Sequence, residues 1–123
     1  MQLSPAQARL ALLVAALVIA GLAVLPADAD APTLIGLDKL KHAGAFLVLT
    51  VLARASWPAL ALWPVVLGLA GFGALIEIAQ AVTGWGRTAS VADMLADLAG
   101  VGLALALLVF MKSRRKRTGS NPS

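Results

Sequence analysis

Ala74 to Asp97, ALIEIAQAVTGWGRTASVADMLAD, joins two apolar runs through a short glycine-rich loop. Glu77 and Gln80 stand one helical turn apart in the first run, and Asp93 and Asp97 open the second. Between them, Gly84-Trp85-Gly86-Arg87 makes a tight connection. Three carboxylates, an amide and a guanidinium therefore sit at the facing ends of two hydrophobic helices. Ionisable groups at membrane depth are costly unless they pair or meet water, so by default they mark a candidate functional site.

The rest of the chain supports this reading. Of its 123 residues 60% are hydrophobic and only 13% charged, with a mean hydropathy of +0.90. Soluble domains carry about 45–50% apolar and about 25% charged residues, so the composition predicts an integral membrane protein. At about 20 residues per crossing there is room for four spans and no separate soluble domain. The chain contains no cysteine, which excludes disulfides, thiol catalysis and iron–sulfur chemistry. The net charge of +4 is distributed as a topology signal, so no nucleic-acid partner is expected.

The expected fold is an all-α, four-transmembrane-helix bundle with spans at about residues 7–25, 38–57, 60–82 and 91–111. A basic tail over 112–123 is expected to be disordered. Ser4-Pro5-Ala6-Gln7 has a helix start with serine at N-cap, proline at N1 and glutamine at N3. The first run, Leu10–Leu25, could be a span or a signal peptide. Ala27-Asp28-Ala29 has a small-x-small form, but the run is longer than an ordinary signal core and Arg9 is a thin positive flank. An uncleaved span is the expectation. The second segment opens with Asp38-Lys39-Leu40-Lys41-His42 and is the least hydrophobic of the four. Trp57-Pro58 marks a turn, and Trp63-Pro64 falls in the first turn of the third span. Small residues at Gly68, Gly71 and Gly73, and at Ala92, Ala96, Gly100 and Ala104, suit close helix packing.

With the amino terminus cytoplasmic, four crossings place seven basic residues and no acid inside: Arg9, Arg54, Lys112, Arg114, Arg115, Lys116 and Arg117. All six acids fall outside, with Lys39, Lys41 and Arg87. That is a positive-inside pattern with both termini cytoplasmic. It gathers the candidate ligand-binding residues Asp38, Lys39, His42, Glu77, Gln80, Arg87, Asp93 and Asp97 at the outer end of the bundle.

Asp38-Lys39-x-x-His42, Glu77-x-x-Gln80 and Gly86-Arg87-x-x-Ser90-x-x-Asp93, followed by Gly100, resemble the VanZ-like family over about residues 38–102. These are small bacterial four-span membrane proteins, named for a member that accompanies glycopeptide-resistance genes and lowers susceptibility to teicoplanin. Asp97 departs from the family pattern, which commonly has asparagine there, and Ala43-Gly44 replaces residues that are often aromatic. The resemblance implies the fold, a multi-pass location in the bacterial plasma (inner) membrane and a role in the cell envelope. The activity of the family is not established.

Each polar residue has a structural reading beside a functional one. His42 is either an interfacial hydrogen-bonding group or, with Asp38 one turn earlier, an oriented base with an unperturbed pKa of about 6.5. Glu77 and Arg87 form either a buried clasp between the third and fourth spans or an acid and an anion-binding cation. Asp93, three residues after Ser90, fits a helix-capping position; Asp97, one turn deeper, should face Glu77, His42 or Lys39. A set of His42, Glu77 and Asp93 or Asp97 has the chemistry for zinc or manganese. With a single histidine and no HExxH spacing, however, neither a metal nor a cofactor is expected. Ser90 lacks a nucleophile-elbow sequence.

The preferred function is a binding module whose outer face meets the head group of a lipid-linked wall precursor or a glycopeptide, Arg87 and Lys39 taking the anion. The alternatives are an intramembrane hydrolase or transferase on a lipid phosphate, using His42 and Glu77, and a small structural subunit docking a larger membrane protein. Whether the chain is an enzyme stays open at this point.

Overall fold

The computed structural model describes residues 3–24, 35–83 and 91–119, with side chains at all of these except 35–39, 83, 118 and 119. All the regular secondary structure among the described residues is helical: α1 (Pro5–Val24), α2 (Ile35–Ser56), α3 (Leu62–Thr83) and α4 (Val91–Gly119). Ser4 and Gln7 cap α1 reciprocally: Gln7 N–H donates to Ser4 Oγ at 3.2 Å and Ser4 N–H to Gln7 Oε1 at 3.0 Å. These bonds occupy donors that a helix start leaves unsatisfied. After α2 the chain turns at Trp57-Pro58, where Leu60 N–H donates to Trp57 O at 3.1 Å. Pro64 lies in the first turn of α3, where it removes no intrahelical hydrogen bond.

One expectation needs correction. The basic tail does not leave the helix at residue 112: α4 continues through Lys112–Arg117 to Gly119. Lysine and arginine are good helix formers, and cations near a helix C-terminus are favoured by its dipole. Arg114, one turn beyond Phe110, places its guanidinium 5.8 Å from that ring's centroid.

Specific contacts fix the direction of each helix. Arg9 Nε, near the start of α1, donates to Ser56 O at the end of α2 at 3.1 Å. Gln80 Nε2, near the end of α3, donates to Ala23 O at the end of α1 at 2.9 Å. His42, early in α2, meets Asp97, early in α4. The helices therefore alternate in direction, up, down, up, down. Arg9 and Arg54 gather at one end of the bundle, and the acids of α3 and α4 at the other. α2 is the central element, packed on α1, α3 and α4, whereas α1 and α4 do not touch among the described residues.

Among the described residues three helices, α1, α3 and α4, are long and apolar enough to cross a membrane. The radial distribution of residues agrees with that environment. Leu17, Leu67, Leu75 and Val82 are 65–79% exposed, while Thr50, Ser56, Glu77, Gln80, Asp93 and Asp97 are buried. In water this apolar exterior would aggregate; in hydrocarbon it is the expected outer face. The buried hydroxyls satisfy themselves locally, Thr50 Oγ1 donating to Phe46 O at 2.6 Å and Ser56 Oγ to Leu52 O at 2.7 Å.

The core joins Phe46, Leu49 and Ala53 of α2 to Val65, Leu69 and Ile76 of α3 and Val101 of α4. Phe46 and Phe72 pack with ring centroids 6.1 Å apart. α2 and α4 approach each other closely at Gly100. A Cβ there would lie 2.1 Å from Ala43 O, so only glycine permits the contact. The packed seam of α4 runs Asp93, Asp97, Gly100, Val101, Ala104. Ala92 is exposed and Ala96 only half-buried, so the expected stripe of small residues joins the interface at Gly100 and Ala104 alone. A strict four-residue repeat drifts by about 40° per step around a helix of 3.6 residues per turn, which carries its other members off the seam. On α3, a Cβ added at Gly68 or Gly71 would meet nothing within 4 Å, and only Gly73 makes close contacts.

Candidate functional site

Three helices deliver polar side chains to the same level of the bundle. Glu77 lies six residues before the end of α3, Asp97 six after the start of α4, and His42 seven after the start of α2. At about 1.5 Å per residue, each is about 9–11 Å inside its helix end. The α2–α4 approach at Ala43 and Gly100 brings His42 against Asp97. His42 Nδ1 stands 2.8 Å from Asp97 Oδ1, and the other ring nitrogen, Nε2, stands 3.8 Å from Asp93 Oδ2. The imidazole thus lies between two carboxylates on successive turns of α4, with side-chain exposures of 14% for His42, 10% for Asp93 and 3% for Asp97.

Glu77 reaches the same point from α3. One ligand-type atom from each of His42, Glu77 and Asp97 lies within 4.8 Å of the other two. Asp97 Oδ2 is buried and has no hydrogen-bond partner among the described residues. Gly73 leaves room beside it, since a Cβ at that position would come within 3.2 Å of this oxygen and 3.3 Å of the Phe46 ring. Buried carboxylate oxygens are normally hydrogen-bonded, so an orphaned one asks for an explanation.

Of the expected site residues, the structure brings together His42, Glu77, Asp93 and Asp97. Gln80, one turn beyond Glu77 on α3, also donates from its amide to Ala23 O. The last carbonyls of α1 have no intrahelical donors, so this bond ties the end of α1 to α3. Asp38 and Lys39 lie in the first turns of α2, but their side chains fall outside the described residues. Arg87, Ser90 and Trp85 also lie outside them, as does Ala27-Asp28-Ala29. Asp93 occupies the first turn of α4, a favourable place for a carboxylate at a helix N-terminus.

The sequence reading gave Gly73 a packing role but did not place it beside Asp97, and it did not single out Phe46, whose ring lies next to the same position. Nor did it anticipate a second feature, a cavity of ≈ 250 Å³ in the opposite half of the bundle, lined by Leu12, Leu49, Val65, Leu69 and Phe72 among others. This cavity holds none of the candidate polar residues.

Chemically, the cluster is rich in acceptors. It can hold a histidine as an oriented base, receive the donors of a polar ligand, or bind a cation. No protein-family model, curated protein or solved structure matches the chain.

Proposed function

We propose that this chain is a VanZ-like protein of the bacterial inner membrane, crossing it four times with both termini cytoplasmic. Its polar cluster binds the head group of a cell-envelope lipid, such as a lipid-linked wall precursor, or a glycopeptide that competes for one. The observation that carries the proposal is the meeting of His42, Glu77 and Asp97 from three separate helices within 4.8 Å. Such a buried polar centre is expensive in a bilayer and has to be repaid by partners or by function. α2 crosses as the central helix, with His42 turned toward α4 and Thr50 buried inside the bundle. The basic residues Arg9 and Arg54 at the opposite end of the bundle support a cytoplasmic assignment for that end.

The described side chains offer acceptors for amino, hydroxyl and amide donors of a head group. Arg87 and Lys39 are the cations proposed for its phosphate. Purification in mild detergent followed by lipid mass spectrometry tests the proposal. An envelope lipid should accompany the wild-type chain and be lost from a folded Arg87→Ala variant. Finding no bound lipid, together with an unchanged envelope phenotype in that variant, would sink it.

A second reading draws support from the 2.8 Å contact between His42 and Asp97. A carboxylate that orients an imidazole prepares it as a general base, so a hydrolase or transferase acting on a lipid phosphate is the competing function. Phosphate release from lipid phosphates by the purified chain, abolished in His42→Ala, separates it from simple binding.

A further inference from the structure

We infer that His42, Glu77 and Asp97 form a binding site for a divalent first-row transition-metal ion of the zinc or manganese type. The site stands independently of the head-group proposal, because it needs only these three side chains. A single histidine argues against a metal in sequence, where ligands are sought as paired histidines on one helix. Here the fold supplies the remaining donors from two other helices.

Three observations carry the inference. The first is the donor set, one imidazole nitrogen and two carboxylates with ligand atoms within 4.8 Å of one another. Ligands about 2.1 Å from a common ion stand about 3.0–3.4 Å apart, so modest side-chain adjustments close the site. The second is Asp97 Oδ2, an oxygen in a residue only 2% exposed and without a hydrogen-bond partner among the described residues. An acceptor left bare inside a bundle is a ready position for a cation. The third is the imidazole between two carboxylates, Asp97 Oδ1 at 2.8 Å from one ring nitrogen and Asp93 Oδ2 at 3.8 Å from the other. With one nitrogen on the metal, a shift of about 1 Å would bring Asp93 into hydrogen-bond reach of the other, an arrangement that fixes ring orientation and tautomer in metal sites.

The sign of the charge agrees: Glu77, Asp97 and the neighbouring Asp93 make this level of the bundle acidic, which favours a cation over an anion. The donor set also selects the ion. Calcium takes six to eight oxygens and magnesium keeps most of its water, whereas imidazole with carboxylate suits zinc or manganese. Three protein ligands leave at least one coordination position open to water or to an oxygen of a bound molecule.

The test uses the full chain in detergent, with any histidine tag removed and the protein stripped by a chelator. Zinc and manganese chlorides are then titrated separately by calorimetry, with bound metal counted by mass spectrometry. The expected result is saturable binding of one ion per chain and a rise in the midpoint of thermal unfolding with metal. Binding should fall at least 100-fold in His42→Ala and in Glu77→Gln, and about 10- to 100-fold in Asp93→Asn, where an outer partner is removed. Circular dichroism identifies variants that keep the fold. If either first-line variant unfolds, cobalt loading of the wild type substitutes, since the visible spectrum of cobalt reports nitrogen and oxygen ligation directly. Absence of saturable binding by the folded wild type up to millimolar metal overturns the site. So does binding that survives intact in a folded His42→Ala, Glu77→Gln double variant. Neither outcome bears on lipid co-purification, which is measured without added metal.

Discussion

Replacing Gly100 by alanine perturbs the contact on which the polar cluster depends. The new Cβ would lie 2.1 Å from Ala43 O and 2.9 Å from Ala43 C. An ordinary carbon-to-oxygen contact is about 3.3–3.6 Å, so the two helices would have to part by more than about 1 Å. The obstacle is backbone, which cannot swing aside as a side chain can. Alanine gains up to about 1 kcal/mol of helix propensity over glycine on the aqueous scale, while overpacking costs about 1–3 kcal/mol. The clash should win, leaving Gly100→Ala less stable by about 1–2 kcal/mol. Gly102→Ala, two residues along the same helix, is the matched control because its Cβ would meet nothing within 4 Å. It should be neutral or slightly stabilising. Thermal unfolding in one detergent, followed by circular dichroism, compares the three proteins directly. The local consequence should exceed the global one, since Ala43 adjoins His42 and Asp97 lies three residues before Gly100. Separating α2 from α4 should break the His42–Asp97 contact and abolish whatever the cluster binds. A Gly100→Ala protein as stable as wild type, or the reverse order of the two variants, would refute the close approach.

Other consequences are equally open to measurement. His42→Ala and Asp97→Asn should be coupled by about 0.5–3 kcal/mol in a double-mutant cycle of unfolding free energies, and additivity would mean the 2.8 Å contact carries no energy. Phe46→Ala should cost about 3–5 kcal/mol, because it removes a fully buried ring that packs against Phe72; a loss below about 1 kcal/mol would place the ring outside the core. Gln80→Leu removes the donor to Ala23 O and should cost about 1–3 kcal/mol. Hydrogen exchange should then quicken at the end of α1 while α4 is unaffected.

The helices themselves were legible without coordinates. Leu10–Leu25 and the other long apolar runs can neither hydrate nor leave their peptide groups unpaired in hydrocarbon, so helix is the available solution. Local chemistry marked several ends: Ser4 with Gln7, Trp57-Pro58 and Pro64 all work through neighbours within a few residues. The level of the polar groups was legible too, because counting from a helix end gives depth. The length of α4 was not, since a run of Lys and Arg beyond Met111 is compatible with either a helix or a solvated tail.

Partner choice was decided by tertiary structure. Periodicity states which residues share a face of one helix, and says nothing about which face meets which neighbour. In lipid the ambiguity deepens, because core and exterior are both apolar and burial leaves little trace in composition. Hence Asp97 had three candidate partners, and it meets His42, with Glu77 beside them, where Gly100 lets α4 settle against Ala43. By the same cause the bond from Gln80 to Ala23 O of α1 could not be read from sequence, and only Gly100 and Ala104 of the small-residue stripe entered the seam. Sequence determined how many helices form and at what depth the charges sit; the packing of α2 against α4 determined which of those charges meet.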